Sequence, residues 1–127
     1  MGSPILVTGA AGTIGHAVCE LLIGRGRKVR ALVRGEDARS AKLAERGVDV
    51  VVGDLLDLHA MHRAIEGCDR GYFGMTVSAA YLEATVKSAA VAKHHKVSAF
   101  VNISQMIVSA LPRMRAELDE GRRASGR

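Results

Sequence analysis

The sequence predicts an α/β fold built on a doubly wound parallel sheet with strand order 3-2-1-4-5. Strand-like and helix-like segments alternate along the chain, which is typical of right-handed crossovers in a parallel sheet covered on both faces. A glycine-rich turn joins the first strand to the first helix. The 127 residues allow one compact domain with its own core. We expect that domain to span residues 1–109 and a separate tail to span residues 110–127.

The first strand and the turn after it carry the most specific pattern. The apolar residues 5–7 predict a buried strand, and Gly9 would permit a tight turn that a Cβ atom would obstruct. Gly12 would let the backbone approach a phosphate closely, and Gly15 would let the next helix pack against its strand. The N-terminus of that helix then offers free N–H groups to an anion. Together these features predict a dinucleotide pyrophosphate site.

The helix that follows the turn decides between two interpretations of the glycines. Their spacing alone also fits an ordinary strand, turn and helix that bind no nucleotide. A helical pattern that begins inside the turn favours the nucleotide site. Its predicted apolar face consists of Ile14, Ala17, Val18, Leu21 and Leu22.

The remaining elements continue the alternation, with a ligand crevice expected at the carboxyl ends of strands one and four. Further strands are predicted at residues 28–33, 48–52, 70–73 and 99–103. A helix is predicted at residues 37–46, and the spacing of Leu58, Met61 and Ile65 predicts another. The last helix, at residues 78–94, has a predicted apolar face formed by Leu82, Val86, Ala89 and Ala90.

The composition indicates a soluble cytoplasmic domain. Hydrophobic residues make up 48% of the chain, yet no apolar run approaches the roughly 18 residues that a membrane helix needs. The chain enters a predicted core strand almost at once, which argues against a removable leader. Cys19 and Cys68 are predicted to be buried thiols rather than a disulfide.

Four segments follow one another in an informative order. They are TGAAGTIG at residues 8–15, ALVR at 31–34, GDLLD at 53–57 and a long stretch at 81–104. The combination resembles the NmrA-like NAD(P)-binding proteins, which are atypical extended short-chain dehydrogenases. The resemblance spans residues 4–106 and implies a Rossmann-type fold. Many Rossmann families share the glycine motif, whereas its combination with VR after strand two and GDL after strand three is more specific.

The resemblance also implies which residues hold the cofactor. It assigns Gly9, Gly12, Thr13, Ile14 and Gly15 to the pyrophosphate turn, Arg34 to the adenosine ribose, and Asp54 with Leu55 to the adenine. It assigns Gly74, Met75 and Thr76 to the neighbourhood of the nicotinamide ribose, and Ser104 with Gln105 to the crevice after strand five.

The end of strand two predicts the choice of cofactor. About twenty residues beyond the glycine turn, NAD-preferring domains usually place Asp or Glu, which binds the ribose hydroxyls. This chain has Arg34 there, whose guanidinium can pair with a 2′-phosphate, and Arg39 can add positive charge. We therefore expect NADP(H) to be preferred, with NAD(H) also possible. The alternative is that Arg34 is only a solvated arginine at a strand end.

The catalytic residues are unknown from the sequence. Conventional short-chain dehydrogenases carry a Tyr-x-x-x-Lys pair after strand five, and this chain has none. Tyr72 and Tyr81 precede that strand, and we interpret both as packing or loop residues. Three hypotheses stay open: an NADPH-dependent reductase of a small carbonyl or quinone-like acceptor, a module that reports NADP(H) to a regulatory protein partner, and a truncated remnant that only binds nucleotide.

The histidines predict no metal site. His59 and His62 share a helix face at i, i+3, but the sequence offers no apparent third ligand. His94 and His95 stand at a predicted helix C-terminus, where positive charge is favourable, and we interpret them as capping residues.

The net charge of +5 raises nucleic-acid binding as an alternative. The chain has no basic patch interleaved with aromatics and no recognition-helix pattern, so direct nucleic-acid binding is not expected. We instead expect a group of basic residues around the adenosine side of the cofactor: Arg25, Arg27, Lys28, Arg30 and Arg34.

Two departures from the family pattern bear on assembly and on a turn. After about residue 109 the chain becomes a basic tail without apolar periodicity, which predicts a solvated or loosely helical segment. Relatives continue with another strand. Without it, strand five would be an exposed edge beside the apolar residues 106–108 and 111, so we expect self-association.

Lys96 stands where relatives commonly end a helix with glycine.

Overall fold

The computed structural model describes residues 2–75 and 80–103, in which five strands alternate with four helices. In chain order these elements are β1 (Ile5–Thr8), α1 (Thr13–Gly24), β2 (Val29–Val33), α2 (Ala38–Glu45), β3 (Asp49–Val52), α3 (Leu58–Ile65), β4 (Arg70–Phe73), α4 (Tyr81–His94) and β5 (Ala99–Asn102). Every strand lies within one residue, at each end, of the range that the sequence predicts.

The five strands form one parallel sheet in the order β3-β2-β1-β4-β5. Ile5 of the central strand β1 pairs with Val29 on one side and with Arg70 on the other. The predicted fold class and strand order are therefore confirmed. Because all strands run the same way, their carboxyl ends meet at one edge of the sheet, where the predicted crevice should lie.

The core lies on both faces of the sheet because side chains alternate along each strand. Leu6 on β1 packs in a cluster with α3 and α4, whereas Val7 packs in a second cluster with α1 and α2. Cys68 belongs to the first cluster and Cys19 to the second, so the sheet separates the two thiols. Both cysteines are buried and free, which confirms the prediction.

The predicted apolar face of α1 is wrong in part. Two of its residues, Val18 and Leu22, are half-buried, but three are exposed: Ile14, Ala17 and Leu21. The helix buries Gly15 and Cys19 instead. Because α1 is apolar on most of its surface, periodicity alone does not fix its rotation. The side that packs on the sheet is the one on which glycine permits close approach.

The predicted face of α4 is wrong for the same kind of reason. The predicted residues Leu82, Val86, Ala89 and Ala90 are all exposed. The helix buries the smaller Ala84 and Ser88, together with Val91 and Ala92. Small residues let α4 lie close to the sheet, and the larger side chains then face outward. In α3, Met61 and Ile65 are buried as predicted, whereas Leu58 is exposed.

The turn after α4 contains Lys96, which stands where relatives commonly end a helix with glycine. This residue is the non-glycine residue with positive φ in the described chain, at 55°. Its N–H donates to the carbonyl of Lys93, and the N–H of Val97 donates to the carbonyl of Ala92. These bonds satisfy carbonyl groups at the helix end in a backbone conformation that favours glycine.

Replacing Lys96 with glycine is therefore expected to stabilise the fold. The strain of a left-handed lysine exceeds the extra unfolded-state entropy of glycine by about 0.5–1 kcal/mol. Lys93→Gly is the matched control, because Lys93 is exposed in the last turn of α4 and glycine there should cost about 1 kcal/mol. Chemical denaturation of both variants should show changes of opposite sign. A loss of stability in Lys96→Gly would contradict this reading of the turn.

Several predictions fall outside the described ranges and stay predictions. They concern Thr76, Ser104 and Gln105, the apolar residues 106–108 and 111, and the tail at residues 110–127. Within the described ranges, no helix combines the length and the apolar character needed to cross a membrane.

Candidate functional site

A cleft of about 840 Å³ opens where the carboxyl ends of the strands meet. The loops after β1, β2, β3 and β4 line it. Most of the predicted cofactor residues lie along its wall: Gly9, Gly12, Thr13, Ile14, Gly15, Arg34, Asp54, Leu55, Gly74 and Met75. The fold thus brings into one cavity residues that are far apart in the chain, such as Thr8 and Gly74, which are hydrogen-bonded across 66 positions.

Gly9 and Gly15 shape the turn after β1. Gly9 has φ of +62°, and a Cβ atom on it would lie 2.6 Å from the carbonyl oxygen of Gly74. A Cβ atom on Gly15 would lie 2.7 Å from the carbonyl carbon of Gly9 and closer still to its oxygen. Backbone atoms cannot move aside easily, so both positions require glycine for the turn itself.

Gly12 differs from the other two glycines because its surroundings are open. A Cβ atom there would meet one neighbour within 4 Å, the carbonyl oxygen of Gly9 at 3.3 Å. Gly12 is exposed to the cleft and caps α1 with an extended backbone. The missing side chain therefore leaves space in the cleft itself.

The N-terminus of α1 has the electrostatics of an anion site. Its cap provides no side-chain hydrogen bond, and its first turn contains no acidic residue. The first N–H groups of an α-helix have no partner within the helix, and they lie at the positive end of the helix dipole. Thr13 and Ile14 are both exposed here, facing the cleft. The arrangement favours a negatively charged group.

Thr8 is a site residue that the sequence analysis missed. Its Oγ1 donates to the carbonyl oxygen of Gly74 at 2.9 Å and accepts from the N–H of Gly74 at 2.9 Å. The side chain is buried, so it ties the loop after β4 to the glycine turn without facing solvent. A threonine at the last position of a strand, directly before the glycine turn, was the available signal.

Arg34 reaches the cleft from the end of β2 and is exposed. It makes no salt bridge with any residue in the described part of the chain. Arg39 is in a different state, because its guanidinium pairs with Asp37 at 3.1 Å and donates to the carbonyl oxygen of Ala11 at 3.3 Å. Among the described residues, Arg34 is thus the cation of this pair whose hydrogen-bonding groups have no partner.

Asp37 is the acidic residue closest in sequence to Arg34 on the cleft wall, but it is committed to α2. Its carboxylate accepts from the N–H groups of Arg39 and Ser40, each at 2.9 Å, as the helix cap. The hydrogen bond from Ser40, followed by the bond from the Arg39 side chain, lowers the pKa of Asp37. The ionised carboxylate therefore has partners already and is not preorganised to accept ribose hydroxyls.

The loops after β3 and β4 complete the cleft. Asp54 Oδ1 accepts from the N–H of Leu56 at 2.8 Å, which fixes the turn, while the half-buried Leu55 offers an apolar surface. Tyr72 lines the cleft and also packs against the second core cluster. Burial, and then the neighbouring Tyr81, raise the pKa of Tyr72, so its phenol is protonated at neutral pH.

The expected group of basic residues is wrong except for Arg34. Arg30 points the other way, where it pairs with Asp49 at 2.9 Å and donates to the carbonyl oxygens of Ala64 and Glu66. The other members of the group are in the connection from α1 to β2: Arg25, Arg27 and Lys28. This connection lies at the amino ends of the strands. In an α/β fold, each helix carries the chain from the carboxyl end of one strand back to the amino end of the next. These residues therefore cannot surround the cleft.

The chain matches a known family over most of its length. Residues 9–124 match a family described as NAD(P)H-binding. A 67-residue stretch is 42% identical to the 2-alkyl-3-oxoalkanoate reductase of Shewanella oneidensis, covering 53% of this chain and 16% of that protein.

Solved structures share the fold. The anaerobillin reductase ChuY from Escherichia coli O157:H7 superposes with a TM-score of 0.73 at 24% identity. The match covers 90% of this chain and 61% of ChuY. A short-chain dehydrogenase/reductase superfamily protein from Agrobacterium tumefaciens, with bound NAD, superposes with a TM-score of 0.65 at 31% identity. The match covers 80% of this chain and 32% of that protein. The chain therefore spans only part of each of these relatives. The match over residues 9–124, on a Rossmann sheet with the glycine turn at its centre, shows that this chain belongs to the NAD(P)H-binding family.

Proposed function

We propose that this chain binds NADPH in the cleft and provides the NADPH site of an NmrA-like reductase. This reductase would act on a small carbonyl or quinone-like acceptor. The observation that carries the proposal is one cleft of about 840 Å³ lined by both the glycine turn and Arg34. A dinucleotide needs a close backbone approach at its pyrophosphate and specific contacts at its adenosine end. Because the chain spans 16% of its reductase relative, the activity of the whole protein is part of the proposal.

The residues of the pyrophosphate half would act through their backbone. Gly12 leaves space for the phosphates, and the N–H groups at Thr13 and Ile14 would donate to them. Gly9 and Gly15 hold this turn in shape, and Thr8 fixes it relative to the loop after β4.

The two ends of the dinucleotide would meet different loops. Arg34 would bind the 2′-phosphate, while Leu55 and the backbone near Asp54 would contact the adenine. Gly74 and Met75 would lie beside the nicotinamide ribose. When bound, NADPH supplies a hydride from its nicotinamide ring, and the protein orients that ring.

The second candidate is a module that senses NADP(H) and signals to a protein partner. It is favoured by the absence of a Tyr-x-x-x-Lys pair from the whole sequence. In the described chain, the cleft tyrosine Tyr72 is in packing contact with the core, and the hydroxyl of Tyr81 donates to the carbonyl of Ile103. Neither phenol is paired with a lysine in the described residues.

An assay of NADPH oxidation across small carbonyl and quinone acceptors separates the two candidates. The reductase proposal predicts consumption of NADPH that depends on the acceptor and is lost in Gly12→Val. Binding of NADPH without turnover, together with a partner captured only in its presence, would favour the sensor. Binding with neither turnover nor a partner would leave only nucleotide binding, the third hypothesis.

Self-association is proposed through β5, one of the two edge strands of the described sheet. Val101 on this strand is 57% exposed, and an edge strand offers unpaired backbone groups to another chain. We expect light scattering at micromolar concentrations to show dimers or larger species. Val101→Lys should reduce the associated fraction, because a charge on an edge strand opposes pairing. A monomer at every concentration would contradict this prediction.

The two buried thiols favour a reducing compartment, and we propose a cytoplasmic location on that basis.

A further inference from the structure

Three histidines from two helices meet at the end of the sheet opposite the cleft. His62 lies on α3, His94 is the last residue of α4, and His95 caps that helix. A ligand nitrogen of each ring lies within 4.8 Å of the other two. The sequence separates His62 from the pair by more than 30 positions, since its bond to His95 spans 33 residues. Only the packing of α3 against α4 brings the third ring to the pair.

The rings are already in contact. His62 Nδ1 and His95 Nε2 are 2.9 Å apart, and the centroid of the His94 ring lies 5.3 Å from that of His62 and 5.1 Å from that of His95. A hydrogen bond between two imidazoles requires that at least one nitrogen presents a lone pair. His62 and His95 are half-buried, whereas His94 is exposed and can adjust its position.

This geometry is close to that of a metal site. A tetrahedral zinc ion has bonds of about 2.0–2.1 Å to histidine nitrogens, which places those nitrogens about 3.4 Å apart. The observed cluster brackets that value, with 2.9 Å for the bonded pair and up to 4.8 Å for the widest pair. Adjustments on the order of 1 Å, mainly by exposed His94, would complete it.

We propose that His62, His94 and His95 form a binding site for a divalent transition-metal ion of the zinc type. Three imidazoles leave a fourth position for water, as in sites with three protein ligands. The ion would join α3 to α4 at the amino ends of the strands, away from the cofactor cleft. It would therefore act on the stability of this side of the domain and not on the dinucleotide contacts.

Charges of both signs lie near the cluster, since Arg63, Lys93 and Lys96 are adjacent to the histidines in the chain and Glu66 is near His95. Partial burial lowers the pKa of His95, and the neighbouring His62 and His94 lower it further, whereas Glu66 raises it. Histidine must be uncharged to bind a metal, and the hydrogen bond between the half-buried rings of His62 and His95 already requires one uncharged imidazole.

The test is a titration of the chelator-treated protein with Zn²⁺ alone, followed by calorimetry. The wild-type chain should bind one equivalent, and its thermal midpoint should rise with Zn²⁺. His62→Gln and His94→Gln should each weaken the affinity at least tenfold, about 1.4 kcal/mol. A Co²⁺ complex should show nitrogen ligation without thiolate charge-transfer bands, which excludes Cys68 as the ligand.

His59→Gln is the matched control, because His59 is an exposed histidine in the first turn of the same helix. This variant should bind Zn²⁺ like the wild type. NADPH affinity should be unchanged in His62→Gln, which shows that the variant is folded. Absence of saturable binding, or equal affinity in His62→Gln and His59→Gln, would overturn the proposal.

Discussion

Replacing Gly12 with valine is expected to abolish dinucleotide binding and to leave the fold in place. The Cβ atom would have one neighbour within 4 Å, the Gly9 carbonyl oxygen at 3.3 Å, so the remaining branches would extend into the cleft. They would occupy the space that a pyrophosphate needs beside the N-terminus of α1. The extended backbone of Gly12, with φ of −79° and ψ of 170°, accommodates valine. We expect at least a hundredfold loss of NADPH affinity, about 2.7 kcal/mol, by calorimetry.

Gly15→Ala is the matched control, because its added methyl group meets backbone instead of open space. The new Cβ would lie 2.7 Å from the carbonyl carbon of Gly9 and 3.0 Å from the Cα of Ala10. Relief requires the turn or α1 to move, at a cost of about 1–3 kcal/mol of stability. Gly15→Ala should therefore lose stability as well as affinity, whereas Gly12→Val loses affinity alone. A folded Gly12→Val protein that retains NADPH affinity would show that the pyrophosphate does not lie on this turn.

Replacing Arg34 with aspartate is expected to reverse the preference between NADPH and NADH. Arg34 is exposed on the cleft wall and has no salt-bridge partner among the described residues, so its guanidinium is available to a 2′-phosphate. A charge-assisted hydrogen bond contributes about 1.5–3 kcal/mol, a preference of about 10–150-fold. Aspartate would repel the phosphate and accept hydrogen bonds from ribose hydroxyls, so NADH affinity should be maintained or improved.

Arg39→Gln is the control for Arg34. Arg39 already pairs with Asp37 and contacts the Ala11 carbonyl, so its loss should change the NADPH to NADH ratio less than the loss of Arg34. Equal weakening of both dinucleotides in Arg34→Asp would assign Arg34 to the fold or the pyrophosphate instead. Affinities for both cofactors, measured under one salt condition, check this because exposed charge pairs are screened by salt.

The strands and their order were predictable because local patterns specify them. Short apolar runs bounded by glycine and polar residues located β1 to β5 within one residue, and the glycine turn of a dinucleotide site then indicated the Rossmann strand order. The rotation of α1 and α4 about their axes was not predictable in the same way. Both helices carry apolar residues on several sides, and the buried side is chosen by small residues such as Gly15 and Ala84.

The wall of the cleft was predictable where a motif marks it and not where long-range contacts build it. The glycines and Arg34 stand in recognisable positions, but the bond from Thr8 to Gly74 depends on two strands becoming neighbours. The bond from Arg39 to the Ala11 carbonyl, 28 positions away, likewise results from packing, as does the histidine cluster at the opposite end of the sheet. The prediction of several basic residues around the adenosine side was wrong, because proximity to Arg34 in the sequence does not determine which end of the sheet a residue reaches.

Hydrogen exchange of the full chain with and without saturating NADPH tests the central claim most directly. Binding in the cleft predicts slower exchange for the amides of the glycine turn and the first turn of α1, and for the segment that carries Arg34. The amides around His62 and His95, at the opposite end of the sheet, should exchange at unchanged rates. Protection absent from the glycine turn, or concentrated at the histidine end, would contradict the account.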